Sequence, residues 1–287
     1  MTVVREREQT YEECPEGLSW LIQRGFYNDI PPTDQTDIND FLLSPETTSG
    51  VSSALYHNPV IDQVAHIACL HHKDQCRKAA PTHPYMKHVY MTTFQAGRLL
   101  EGGDLEDAMR AYIAFYGEVD ISEEELAGSA LVHDTLECNP RLARFQLYRD
   151  MVTRGVSQDL AESLTSTSQF MIPAEKPPHL PPEKYLDFKV DDVRRYYSRE
   201  AYERLRLSSL LTARVVKAAD VLALGLEMTD DIRKGREGSN LQSPNLFNAA
   251  LETRLELIRR RLALFQTFDP ANPFIPDIEV LVSQFTI

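Results

Sequence analysis

A chain of 287 residues, 43% of them hydrophobic, has material for one large domain or two small ones, and global disorder is excluded. A net charge of -13 without any basic block argues against non-specific nucleic-acid binding, while a small phosphorylated ligand needs only a local group of cations. The start, MTVVREREQT, has no apolar signal-peptide core, and no apolar run reaches the ~18 residues of a membrane span. The 4 cysteines (Cys14, Cys69, Cys76, Cys138) form no C-x-x-C pair, so a reducing, cytoplasmic setting without membrane contact is expected.

In chain order, residues 28–58 carry Pro31-Pro32, several Ser and Thr, and few periodic apolar positions. Residues 1–55 therefore read as an N-terminal extension, and 56–287 as the folded domain. Strand signals are scarce, and helical periodicity recurs, which predicts an all-α bundle. The first helix spans 60–75, with Ile61, Val64, Ala65, Ala68 and Cys69 on one face. Helices follow over 85–100 and over 104–116, the latter capped by Asp104. The segment 121–137 opens with Ser122 and Glu125 in capping-box spacing. Residues 171–183 hold five prolines, which cannot continue a helix, and read as a loop inside the domain. The longest helical pattern covers 198–235, with a bend or break midway, and another covers 246–268.

Three segments carry chemistry. In LVHDTLE (131–137) His133, Asp134 and Glu137 interrupt core-type residues. Adjacent helical side chains point about 100° apart, so His133 and Asp134 flank one ion but do not enclose it. Glu137 falls on the same side. Imidazole with carboxylate suits Mn²⁺, Fe²⁺ or Zn²⁺. In QCRKAAPTHPYMKH (75–88) Arg77 and Lys78 end one helix, Pro84-Tyr85 opens the next, and His88 lies one turn inside it. In RVVKAADVLALG (214–225) Asp220 sits among apolar residues and needs a partner or a cation, with Lys217 three residues earlier.

Together these segments resemble the HD-domain hydrolases, and within them the RelA/SpoT-type alarmone hydrolases, including the small stand-alone forms. The matching positions are His72, Arg77, Lys78, Pro84, Tyr85 and His88, then His133, Asp134 and Glu137, then Lys217, Ala219 and Asp220. The resemblance spans about 60–230 and implies an HD-type helical bundle, with inserted segments near 100–120 and 150–200 because the motifs lie further apart than in the compact members, and without a synthetase half because too few residues follow the long helix for a nucleotidyltransferase domain. It also implies one metal, usually Mn²⁺, on His88, His133, Asp134 and Asp220, and removal of the 3'-pyrophosphate from (p)ppGpp. Glu137 and Asp134 are then the catalytic carboxylates, Glu137 orienting or deprotonating water. Arg77, Lys78, Tyr85 and Lys217 are the substrate-binding residues, although Tyr85 equally fits a packing role beneath the site. His72 matches a family position that is not a metal ligand. Two departures stand out: Cys138 where the family has Asp, and Leu224 where it has Asn. They suit two further readings, an HD nucleotidase for nucleoside mono- or triphosphates, and a catalytically weak nucleotide sensor. The oligomeric state stays open.

Other residues read as structural. His66 and His71 are packing or surface histidines, Cys138 a small core residue, and Arg194 to Tyr197 a solvated helix face. The run Arg259-Arg260-Arg261 reads as a charge cluster at a helix C-terminus.

Overall fold

The structure, a computed structural model, describes residues 58–72, 75, 85–100, 103–117, 119–173, 182–233 and 244–285. The extension over 1–55, Arg77, Lys78 and most of the Pro-rich segment lie outside the described residues. Among the described residues every regular element is helical, so the fold is an all-α bundle. In chain order these are α1 (Pro59–His72), α2 (Met86–Arg98), α3 (Asp104–Phe115), α4 (Glu123–Val132), α5 (Thr135–Cys138), α6 (Arg144–Thr153) and α7 (Gln158–Met171). Then come α8 (Pro182–Arg194), a 3₁₀ turn (Arg195–Tyr197), α9 (Arg199–Arg204), α10 (Leu207–Arg233), α11 (Pro244–Phe268) and α12 (Ile275–Gln284).

Local chemistry sets these boundaries. Ser122 caps α4 by accepting from the Glu125 backbone N–H at 3.1 Å. The reciprocal half of a capping box is absent, because the Glu125 carboxylate turns inward and accepts from the Ser163 and Ser209 hydroxyls. α3 starts at Asp104 itself, after Gly103 at φ 79°, a backbone region that glycine enters without a Cβ clash. The long C-terminal pattern breaks early rather than midway. Leu205 is extended (φ -119°, ψ 149°), and α10 then runs uninterrupted over 27 residues.

α4 is the pivot. Every residue from Glu125 to Val132 is buried, as expected of a helix that is apolar on all sides. Leu126 and Ala130 face one core cluster, with Tyr112, Leu211, Val215, Phe265 and Ile278 from α3, α10, α11 and α12. Ala127 and Leu131 face the other, with Ile61, Val89, Leu147 and Leu164 from α1, α2, α6 and α7. α10 packs against α2, α4, α7, α11 and α12. Its approach to α12 is close: a Cβ at Gly225 would collide with Leu281 Cδ2. This layering brings the C-terminal end of α4, the first turn of α2 and the middle of α10 to one place.

Candidate metal centre

The expected single helix over 121–137 is interrupted at the residues that matter. α4 ends at Val132, His133 and Asp134 form a turn, and α5 restarts at Thr135. Asp134 sits at φ -98°, ψ -3°, between helix and turn. The break aims both side chains into the junction with α2 and α10.

His88, His133 and Asp134 offer donor atoms that all lie within 4.8 Å of one another. Asp134 Oδ2 is 3.1 Å from His133 Nε2 and 3.6 Å from His88 Nε2. His88 Nε2 is also 3.0 Å from Asp220 Oδ1, which joins α10 to the group. Ligands held about 2.1 Å from a common ion are separated by about 3.0–3.4 Å; the His133–Asp134 and His88–Asp220 spacings match that, while the group as a whole is looser and Asp220 falls outside the trio that lies mutually within 4.8 Å.

The protons point the same way. His133 Nδ1 donates to the Ala130 carbonyl at 2.7 Å, which leaves a lone pair on Nε2. That Nε2 is buried without a hydrogen-bond partner, and the nearest charged atom is a carboxylate oxygen, itself an acceptor. Two acceptors in contact repel unless a proton or a cation lies between them. His88 repeats the pattern. Its Nδ1 lies 3.2 Å from Glu227 Oε1, so the N–H is directed at that carboxylate and Nε2 faces the donors. Two neutral imidazoles and two carboxylates match the charge of one divalent cation, and the residues present fit such an ion.

Outer contacts fix the carboxylates. Tyr85 donates its hydroxyl to Asp134 Oδ2 at 2.6 Å, and the Lys217 ammonium donates to Asp220 Oδ2 at 2.6 Å. Burial opposes ionisation of both aspartates, yet in the absence of an ion protonated His133 and His88 beside Asp134, and Lys217 beside Asp220, hold both carboxyls well below the usual range. Glu137 differs. It stands at the exposed mouth of the site, and partial desolvation, then the Asp134 charge, push its carboxyl up, against the pull of Lys217 and Lys189. A raised carboxyl moves toward the range useful for proton transfer at neutral pH.

Several expected roles shift. Tyr85, a substrate-binding candidate, is engaged with Asp134 and stacks on His72 at 5.0 Å, so it braces the cluster. Lys217, another such candidate, is committed to Asp220. Arg77 and Lys78 lie outside the described residues. His72 is buried and bonds Gln75 through Nδ1 at 2.7 Å, behind the donors rather than among them. His71 pairs with Asp150 at 3.3 Å, and His66 is buried. Cys138 is half-buried beside Tyr85, and Leu224 is half-buried one turn beyond Asp220.

Three participants escaped the sequence reading. Glu227 follows Asp220 by seven residues, two turns along the same helix face, and that spacing was a usable signal. Lys189 and Arg261 come from α8 and α11 with no motif to mark them. Arg261 is not part of a C-terminal cluster: α11 continues to Phe268, and Arg261 is only 5% exposed.

Comparison with known proteins gave no match to any family model, curated protein or solved structure. No helix among the described residues is long and apolar enough to cross a membrane.

Proposed function

We propose that this protein is a metal-dependent phosphohydrolase of the HD type acting on a small phosphorylated nucleotide, with a (p)ppGpp-like pyrophosphate ester as its substrate class. The observation that carries this reading is the meeting of His88, His133 and Asp134 within 4.8 Å, each imidazole with its outer nitrogen already engaged. His88, His133, Asp134 and Asp220 would hold the ion, Mn²⁺ by family resemblance, with Fe²⁺ and Zn²⁺ compatible with the same donors. A divalent ion bound there supplies Lewis-acid polarisation of a phosphoryl oxygen and acidifies a bound water. The chain supplies the rest. Glu137 Oε accepts the proton that the attacking water releases. Tyr85 and Lys217 keep Asp134 and Asp220 ionised and aimed. Hydrolysis then would join water's oxygen to phosphorus and break the bond from phosphorus to the nucleotide's ester oxygen, which leaves as the alcohol with the proton that Glu137 returns.

A second reading is a nucleotidase for nucleoside mono- or triphosphates. Cys138 favours it, because the alarmone hydrolases place a carboxylate at that position. One experiment separates the two. Purified full-length protein with Mn²⁺ is offered ppGpp and a panel of nucleoside mono-, di- and triphosphates, and released pyrophosphate, phosphate and triphosphate are quantified. Pyrophosphate from ppGpp, abolished by His133→Ala, is the expected result. Turnover confined to another nucleotide moves the substrate to the second reading. No turnover of any nucleotide, with nucleotide-induced stabilisation instead, replaces the hydrolase with a binding protein.

A further inference from the structure

The Asp134 carboxylate accepts from the Tyr85 hydroxyl at 2.6 Å, so whatever holds the Tyr85 ring also aims that carboxylate. Two contacts reach Tyr85 from the side away from Asp134. Its backbone N–H donates to the Gln75 carbonyl at 2.9 Å. Its ring lies on the His72 imidazole, with centroids 5.0 Å apart and planes 12° from parallel. That buried imidazole is fixed at both nitrogens. Gln75 Oε1 only accepts, so His72 Nδ1 carries the proton and donates to it at 2.7 Å. Nε2 is then an acceptor, and the Thr135 hydroxyl donates to it at 3.4 Å. Both contacts, backbone and ring, therefore trace back to Gln75.

The nitrogen end of the same amide reaches α5. Gln75 Nε2 donates to Asn139 Oδ1 at 2.9 Å and lies 3.3 Å from the Cys138 carbonyl and 3.4 Å from the His71 carbonyl. Asn139 Nδ2 donates in turn to the Thr135 carbonyl at 2.8 Å. α5 is a single turn that follows Asp134 directly and carries Glu137, and so short a helix does not hold its shape alone. A residue that only fills space at position 75 needs no amide. Here the oxygen and the nitrogen are both engaged, on different elements, and the side chain joins the end of α1 to the end of α5 beside the donor cluster.

We propose that Gln75 is a positioning residue of the metal centre: through His72 and Tyr85 its side chain sets the orientation in which Asp134 meets the ion, with Asn139 as its anchor on α5. The proposal rests on the reading of His88, His133, Asp134 and Asp220 as a metal site. Tyr85 is the direct outer partner of a ligand, and such partners are worth 10–100-fold in metal affinity. Gln75 stands two contacts further out, acts only by way of the Tyr85 hydroxyl, and so contributes a smaller factor that depends on that hydroxyl.

The test is Mn²⁺ affinity by calorimetric titration of full-length chains, arranged as a double-mutant cycle. Tyr85→Phe removes the hydroxyl from Asp134, keeps the ring, and should weaken binding by about tenfold or more. Gln75→Leu keeps the bulk, removes the amide, and should weaken binding by about threefold or more. In the Tyr85→Phe background, Gln75→Leu should have little further effect, because the path to Asp134 is already cut. A residue that only supports the fold lowers affinity by the same factor in both backgrounds. That additive result overturns the proposal, and so does equal affinity in the parent and Gln75→Leu chains. If Gln75→Leu does not fold, Asn139→Ala takes its place in the same cycle. Asn139 is half-exposed, and its loss frees the nitrogen end of the Gln75 amide, with the same expected and overturning outcomes. A parent chain that binds no Mn²⁺ removes the metal centre and the role of Gln75 together, whereas Mn²⁺ binding indifferent to Gln75 removes only the latter.

Discussion

α10 carries two buried charged clusters about two turns apart, and they are built on opposite plans. At Arg214 the charge is enclosed. The guanidinium donates to the Tyr196 carbonyl at 3.0 Å and the Tyr202 hydroxyl at 2.9 Å, and the rings of Tyr197, Tyr202 and Tyr116 lie 4.7, 5.1 and 5.4 Å from its carbon. Asp269 answers it, accepting from the hydroxyls of Tyr116 and Tyr112 and from the Asn272 amide. At Asp220 the donors converge on one another instead. Two lone-pair nitrogens and two carboxylates face inward, and His133 Nε2 stays unpartnered. The first cluster closes mostly on protein groups, with Arg214 Nη1 left without a hydrogen bond, whereas the donors of the second face one another and need a proton or a cation between them. Titration separates them as well: desolvation holds the Asp269 carboxyl up, while neighbouring charges hold Asp134 and Asp220 down.

The largest effect is expected where the charge is enclosed. Arg214→Ala takes the donor away from the Tyr196 carbonyl and the Tyr202 hydroxyl and leaves a cavity among the tyrosines, a combined loss of about 3–5 kcal/mol. Urea denaturation of the variant at neutral pH measures this. His133→Ala in the other cluster should lower stability far less when no metal is supplied, because it relieves the opposed lone pairs. If Arg214→Ala costs less than His133→Ala in chelator, the contrast between the clusters is wrong.

Much of this was legible in the sequence and some was not. The all-α class followed from periodicity, and the helices read there fall within a few residues of α1, α2, α3 and α11, whereas α6, α7 and α8 were not read as helices. The donors were readable because each is a polar residue in an apolar stretch, as Asp220 is between Ala219 and Val221. The break at His133-Asp134 was not, because nothing in VHDT departs from helical composition and the turn is imposed by packing against α2 and α10. The place of Arg261 was hidden for a related reason. A triple-arginine run looks solvated until the third member is found buried. α12 was missed altogether, its ten residues being short and preceded by two prolines within PANPF.

Acid should distinguish the two clusters next. Burial pushes the His72 imidazole, behind the donors, down to about 4 from 6.5. Between those values the unfolded chain binds a proton that the folded chain refuses. The contribution of His72 is therefore complete above about pH 6.5 and is lost as pH falls toward 4, amounting to about 3 kcal/mol. His72→Asn should flatten the slope of unfolding free energy between pH 6.5 and 4.5, measured by urea titration in chelator. An unchanged slope would mean that His72 titrates normally and that the region behind Tyr85 is wetter than its 1% exposure implies.

The smallest expected effect is the most specific to a metal centre. The described role of Glu227 is to accept the Nδ1 proton of His88 at 3.2 Å and so fix the lone pair on Nε2. Outer partners of this kind are worth 10–100-fold in metal affinity, or about 1.4–2.7 kcal/mol. Glu227→Ala should weaken Mn²⁺ binding by about that factor in a calorimetric titration, and Glu227→Gln, which keeps an acceptor oxygen, should recover part of it. The metal-free variants should unfold close to the parent chain, because His88 remains packed against His133 and Tyr85. The comparison with Arg214 predicts this split: in a cluster closed by protein, removing a contact shows up in folding, and in a cluster closed by an ion it shows up in ion affinity. Equal Mn²⁺ affinity in Glu227→Ala, or a large loss of metal-free stability, would place Glu227 with the structural network instead.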